Sequence, residues 1–240
     1  MRFLSLALGG LLLGTTLPAL AQTTPAATPA APRYFVGLGA YSSYYQPLGG
    51  YTPYSSGGFR VPVQLTAGYQ LSPRVAVQVG VAYSGGTSPY VLSTLYQNAT
   101  TGPNTTYYTL DGDYTQRQTS VSALARYTLT ANPAHRLQFD ALGGFTLERR
   151  SSHSRGTQTN YAPGSAATTS DYDFGHAQNT LLLTGGVGAR YRLSSRFELT
   201  YDFTVNKALN DEKNVYGNSI NYTNYLTTSQ ALGLRFRFGR

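Results

Sequence analysis

Beyond residue 33, hydrophobic and polar positions alternate one for one along much of the chain, and the two longest runs lie near its end. In the first, Phe197, Leu199, Tyr201, Phe203 and Val205 share one parity, while Glu198, Asp202 and Asn206 take the other. In the second, Leu232, Leu234, Phe236 and Phe238 alternate with Ala231, Gly233, Arg235 and Arg237. Successive side chains leave a strand on opposite faces, so a period of two predicts β-strands with one apolar and one polar face. Both runs are long for a globular strand and carry full charges on the polar side. A tilted bilayer crossing needs roughly 9 to 11 residues, which such runs supply.

The same pattern marks six earlier strands, roughly residues 34–45, 59–71, 75–83, 116–129, 135–148 and 180–193. Strand two sets Phe59, Val61, Val63, Leu65, Ala67, Tyr69 and Leu71 against Arg60, Gln64, Thr66, Gly68 and Gln70. Between strands, tight turns at Ser72-Pro73-Arg74, Ala131-Asn132-Pro133 and Ser194-Ser195-Arg196 alternate with long polar connections. Those connections are expected at 47–58, 84–115, 149–175 and 210–224. With the N-terminus on the periplasmic side, the order predicts an all-β fold: an eight-stranded antiparallel up-and-down transmembrane β-barrel with four long outer loops and three short periplasmic turns.

Periodicity alone does not say which way the apolar face points, and a soluble ligand-binding barrel would turn it inward. Three features favour lipid. The loop lengths are asymmetric. Aromatics recur near strand ends, with Tyr34, Tyr69, Tyr127, Tyr191, Phe197 and Phe238 towards one rim, as an interfacial girdle requires. The polar parity is rich in small residues such as Gly37, Gly39, Gly68, Gly144, Gly186 and Gly188, which suit a narrow interior. In this pattern, with an export signal, eight strands and a last strand of alternating hydrophobics ending at Phe238, the chain resembles the small OmpA-like and OmpX-like outer-membrane barrels. The resemblance implies residence in the outer membrane of a Gram-negative-type bacterium. It also implies contact with outer-membrane lipid and lipopolysaccharide, and assembly by the barrel assembly machinery. In that family an aromatic ends the chain, whereas here Gly239 and Arg240 follow.

Residues 1–21 read as a signal peptide: Arg2 gives the basic start, Leu4 to Leu13 the apolar stretch and Ala19-Leu20-Ala21 the cleavage pattern. Residues 22–32 read as a disordered Pro/Ala/Thr linker and 33–240 as the barrel. The chain has 240 residues, 41% hydrophobic, with no Cys and 21 Tyr; cysteine chemistry is thereby excluded. A net charge of +8 does not indicate nucleic acid, because the arginines are spread along strand faces.

Candidate chemistry concentrates on the inward parity. Arg126 on strand four, Asp140 on five, Arg190 and Arg192 on six, Glu198 and Asp202 on seven, and Arg235 and Arg237 on eight alternate in sign from strand to strand. The tight turn at 194–196 sets Arg192 opposite Glu198. Buried charges persist when paired, and an eight-stranded interior is just wide enough for side chains to fill, so a charge network is expected to plug the lumen. A charged narrow conduit is the competing reading. His153 and His176 flank the third long connection and could meet in a regular hairpin, with two solvated rim histidines as the alternative. Asp111-Gly112-Asp113 and Asp171-Tyr172-Asp173 have calcium-compatible spacing without the rest of a binding loop, and read as turns. No cofactor and no metal are expected. Function is therefore expected to be non-enzymatic: a plugged barrel anchoring surface loops for envelope integrity or adhesion. Residues 84–115 and 149–175, rich in Tyr, Ser, Thr and Asn, are the stretches available to a surface ligand. A small-solute pore and a lipid-modifying enzyme are the alternatives.

Overall fold

The computed structural model describes residues 33–44, 46, 61–97, 105–132, 135–162, 164–210, 212–213, 219–220 and 226–239. The expected signal peptide, 1–21, and the expected linker, 22–32, lie outside them. Ten strands follow in order: β1 (Tyr34–Ser43), β2 (Val63–Gln70), β3 (Val75–Gln97), β4 (Thr105–Thr128), β5 (Leu137–Tyr161), β6 (Thr168–Arg192), β7 (Phe197–Ala208), β8 (Glu212–Lys213), β9 (Ser219–Ile220) and β10 (Leu226–Phe238). Eight of them, β1–β7 and β10, close into a barrel, each hydrogen-bonded to its chain neighbours, with β1 sealing the ring between β2 and β10. Every pairing in the ring is antiparallel. Closure matters because lipid offers no partner to an unpaired N–H or C=O, and a ring has no edge. The two-residue β8 and β9 pair only with each other, within the connection from β7 to β10.

The barrel is inside out. Leu38 is 57% exposed, Leu65 61% and Phe139 52%, whereas Asp140 and Glu148 are 0% and 1% exposed. The apolar parity therefore faces outward around the ring, which selects a bilayer over a soluble barrel built around an apolar core. Apolar side chains are few inside; Phe35, Leu124, Leu142 and Leu182 are among the buried ones. The rim bearing the tight turns carries an aromatic girdle. Tyr34 lies 5.0 Å from Tyr69 and 5.9 Å from Phe238, ring centre to ring centre, and Phe197 lies 5.2 Å from Phe236.

Two of the tight turns share one construction. Leu71 N donates to Val75 O at 2.9 Å, as Leu193 N does to Phe197 O at 2.9 Å. Val75 N then donates to Ser72 Oγ at 3.1 Å, and Phe197 N to Ser194 Oγ at 3.1 Å. The serine side chain accepts from the first donor of the next strand and so closes the turn.

Strand length corrects the expected loops. β3, β4, β5 and β6 run for 23, 24, 25 and 25 residues, against 8 to 13 for β1, β2, β7 and β10. At about 3.3 Å per residue the long strands measure about 80 Å, far more than a tilted crossing of an apolar band about 25 Å tall. Pairing runs unbroken to Gln97↔Thr105 between β3 and β4 and to Asn160↔Thr168 between β5 and β6. Most of 84–115 and 149–175 is thus regular sheet: a four-stranded extension standing beyond the outer edge of the apolar band. The reason is physical. Above the bilayer both faces meet water, so apolar alternation disappears, while Thr and Tyr still favour extended backbone.

Candidate functional site: the polar lumen

Neighbouring strands position the lumen charges, because each inward residue sits beside an inward residue of the next strand. Asp140 on β5 is the hub. Its carboxylate accepts from Arg190 Nε at 2.6 Å and Arg190 Nη2 at 2.7 Å, a two-pronged contact from β6. From β4, Arg126 Nη2 donates to Asp140 Oδ2 at 2.9 Å, and Thr128 Oγ1 donates to Asp140 Oδ1 at 3.0 Å. Arg126 also reaches across the lumen to β7, where Nη1 and Nη2 meet the two oxygens of Asp202 at 2.8 and 2.9 Å. The guanidinium matches a carboxylate with paired donors, the geometry that makes such contacts strong. Gly188 makes room for it: a Cβ there would lie 2.6 Å from Asp202 Oδ1 and 2.7 Å from Arg126 Nη2.

A second knot lies beside the first. Arg237 Nη1 donates to Glu198 Oε1 at 3.0 Å, while Arg235 Nη1 stands 3.7 Å from Glu198 Oε2, an electrostatic contact too long for a hydrogen bond. Arg235 sits 4.0 Å above the ring of Phe35, whose far edge fills the space that a side chain at Gly68 would need. Gln78 joins the knots, its Oε1 accepting from Arg126 Nη1 at 3.1 Å and from Arg235 Nη2 at 2.9 Å.

Farther along β5, Glu148 forms a tier whose hydrogen-bond partners among the described residues are neutral. Ser120 Oγ lies 2.6 Å from Glu148 Oε2 and 2.9 Å from Gln46 Oε1, and Tyr41 OH lies 3.5 Å from Glu148 Oε1. Among the described residues the lumen contains small voids, one of about 30 Å³ and one of about 10 Å³ beside Gln78, Asp202 and Arg235. The first is lined by residues including Tyr41, Gln64, Gln78 and Thr146. Voids of that size hold a water or two.

Of the eight predicted lumen charges, Arg126, Asp140, Arg190 and Asp202 meet in the first knot, and Glu198, Arg235 and Arg237 in the second. Arg192 is in register with Glu198 across β6 and β7, but the ion pairs of that carboxylate go to Arg235 and Arg237. Sequence reasoning missed Gln78, Thr128, Ser120, Gln46 and Tyr41, neutral groups that no charge pattern marks. Glu148 shares the polar parity of Asp140 along strand five but was not counted among the lumen charges.

Beyond the bilayer the inward face of the extension carries a row of partners across four strands, Tyr90↔Gly112↔Gly156↔Tyr172. The two tyrosines arch over the glycines and meet, hydroxyl to hydroxyl, at 2.6 Å, with Ser154 Oγ 2.7 Å from Tyr90 OH. Partial burial and the Tyr90 hydroxyl push the Tyr172 phenol up to about 12. A side chain at Gly112 or Gly156 would run into Tyr172. The acidic triplets 111–113 and 171–173 lie inside β4 and β6, where turns were expected. His153 pairs with Gly175 and Ser152 with His176, so the two histidines project from opposite faces and do not converge. His153 Nε2 instead lies 3.3 Å from Asp173 Oδ1, both side chains exposed.

A family model described as outer membrane protein beta-barrel domain matches residues 10–238. No curated protein matches the chain in sequence. Among solved structures, the N-terminal β-barrel domain of Pseudomonas aeruginosa OprF is 12% identical, covering 87% of this chain and 98% of that one, with a TM-score of 0.40. A major outer membrane protein of Thermus thermophilus is 15% identical, covering 87% and 100%, with a TM-score of 0.43. The Yersinia pestis attachment invasion locus protein Ail, solved with the heparin analogue sucrose octasulfate, is 11% identical over 87% and 100%, with a TM-score of 0.38.

Proposed function

From the premise that the chain belongs to the outer membrane protein β-barrel family and resides in the Gram-negative outer membrane, we propose that it is a closed anchor. Its lumen is plugged by side chains, and its four-stranded extension is the working surface, serving envelope integrity or adhesion. The observation that carries this reading is the filling of the interior. Two charge knots joined by Gln78 are followed by the Glu148 tier, and a void among the described residues beside them measures about 30 Å³. A conduit for small solutes needs a continuous wet path, and the bidentate pair of Arg126 with Asp202 lies across it. The extension supports the second half: regular sheet spanning Ser84–Gln97 and Thr105–Thr115 on one hairpin, and Arg149–Tyr161 and Thr168–Gly175 on the other, gives a rigid polar surface carrying Tyr, Ser and Thr, a composition suited to recognition.

Liposome swelling tests the first half: vesicles carrying the barrel should exclude arabinose as protein-free vesicles do. Excising 86–116 and 151–175 and joining the shortened hairpins tests the second. The trimmed barrel should still fold, with cells losing surface attachment or envelope tightness. Unchanged attachment and an unchanged permeability barrier would sink the platform reading.

A further inference from the structure

The four ascending strands β1, β3, β5 and β7 all begin at the rim of the tight turns, and each is preceded by an arginine. Arg33 precedes Tyr34, Arg74 precedes Val75, Arg136 precedes Leu137 and Arg196 precedes Phe197. The four hold one structural position. In each case the arginine carbonyl accepts from the descending strand beside it: Gln70 N to Arg33 O at 2.7 Å, and Thr128 N to Arg74 O, Arg192 N to Arg136 O and Arg237 N to Arg196 O, each at 2.8 Å. Those bonds use only the backbone, so strand geometry places the four residues evenly round the rim without asking for arginine at any of them.

All four side chains are exposed, and among the described residues none is in an ion pair. A rim that needed only solubility would be served by either sign, yet residues 71–74, 129–136 and 193–196 contain no Asp or Glu. The depth is set by the girdle. Arg33 Nη1 donates to Tyr69 OH at 3.3 Å, and the Tyr69 ring packs at a tilt against Tyr34. Tyrosine rings of such a girdle lie at the headgroup boundary, and arginines next to them carry their guanidiniums to the phosphates. A guanidinium offers a phosphate paired donors as well as charge.

We propose that Arg33, Arg74, Arg136 and Arg196 form a collar that binds the phosphates of anionic phospholipids in the periplasmic leaflet. The collar is built into the backbone pairing, so every second strand delivers one phosphate-binding group to the same depth. It draws a ring of negatively charged lipid round the barrel mouth.

The test uses the whole mature barrel in phosphatidylcholine vesicles, with spin-labelled phosphatidylglycerol and spin-labelled phosphatidylcholine as probes of the lipid touching the protein. Wild type should prefer the phosphatidylglycerol probe about fivefold, the effect of one arginine near an anionic headgroup, and molar NaCl should abolish the preference. R33Q/R74Q/R136Q/R196Q should bring it close to unity, while R117Q/R149Q, on the outward face at the other end of the apolar band, should keep most of it. If the quadruple variant fails to insert, R33Q/R136Q and R74Q/R196Q should each lose about half. No preference in wild type, a preference untouched by the collar variants, or one abolished by R117Q/R149Q would overturn the proposal. Binding of the wild-type barrel to isolated peptidoglycan that depends on the collar, without any lipid preference, would overturn it in favour of a cell-wall contact.

Discussion

The strands β3 to β6 are each one continuous element in two media, and the two halves are held by different forces. Within the bilayer their outward residues, such as Val79, Val121 and Phe145, meet lipid, and their inward residues meet a charge network. Beyond it the same ladders continue with water on both faces, and what fixes them is backbone pairing plus a few side-chain links such as Tyr90 to Tyr172. In lipid, an unpaired charge or an opened ladder has nowhere to go; in water it finds solvent. The same kind of substitution should therefore be severe in the lower half and mild in the upper.

The largest effect is expected at the hub. Asp140→Ala removes the carboxylate from between Arg126 and Arg190 and leaves two buried guanidiniums short of a partner. Breaking a buried pair from one side costs about 3–5 kcal/mol, and the urea midpoint of the heat-modifiable folded band should fall accordingly. On the lipid face, Val79→Arg should cost about 2–4 kcal/mol at midplane. Thr157→Arg, on the same outward parity but in the extension, should stay within about 0.5 kcal/mol. A drop at Thr157 equal to that at Val79 would erase the distinction between the halves.

Gly188 and Gly143 sharpen the comparison across the barrel wall. At Gly188 a side chain collides with the Arg126–Asp202 pair, while a Cβ at Gly143 meets nothing within 4 Å. Gly188→Val should lose about 1–3 kcal/mol by overpacking, and Gly143→Val should be neutral or slightly stabilising, measured on the same midpoint. A purely local change is expected at Tyr90→Phe, which removes the hydroxyl shared by Ser154 and Tyr172. About 1 kcal/mol of local stability should go, seen as faster amide exchange in the upper hairpins with the barrel midpoint unmoved.

The same division explains what the sequence made legible. Inside the bilayer one face must be apolar, so the period of two located all eight strands, and the tight turn at 193–196 fixed the facing of Arg192 and Glu198. Above it no face is dry, the period vanished, and strand was read as loop. In the lumen, opposite signs on adjacent strands pointed to contacts such as Arg190 with Asp140, because neighbours in sequence are neighbours in the ring. The reach of Arg126 across the interior to Asp202 was not legible, since a contact across the lumen depends on barrel width and on the space left by Gly188. Nor was the bridging by Gln78, a neutral side chain whose importance comes only from the two guanidiniums it happens to face.

The claim on which the rest depends is that the lumen is closed, and planar-bilayer recording of the purified, folded barrel in molar KCl tests it most directly. A closed lumen gives no reproducible channels from wild type, with discrete openings emerging when Arg126 and Asp202 are both replaced by alanine. Steady openings from the wild-type barrel, altered in size by substituting Arg126 or Glu198, would contradict it and make the protein a pore.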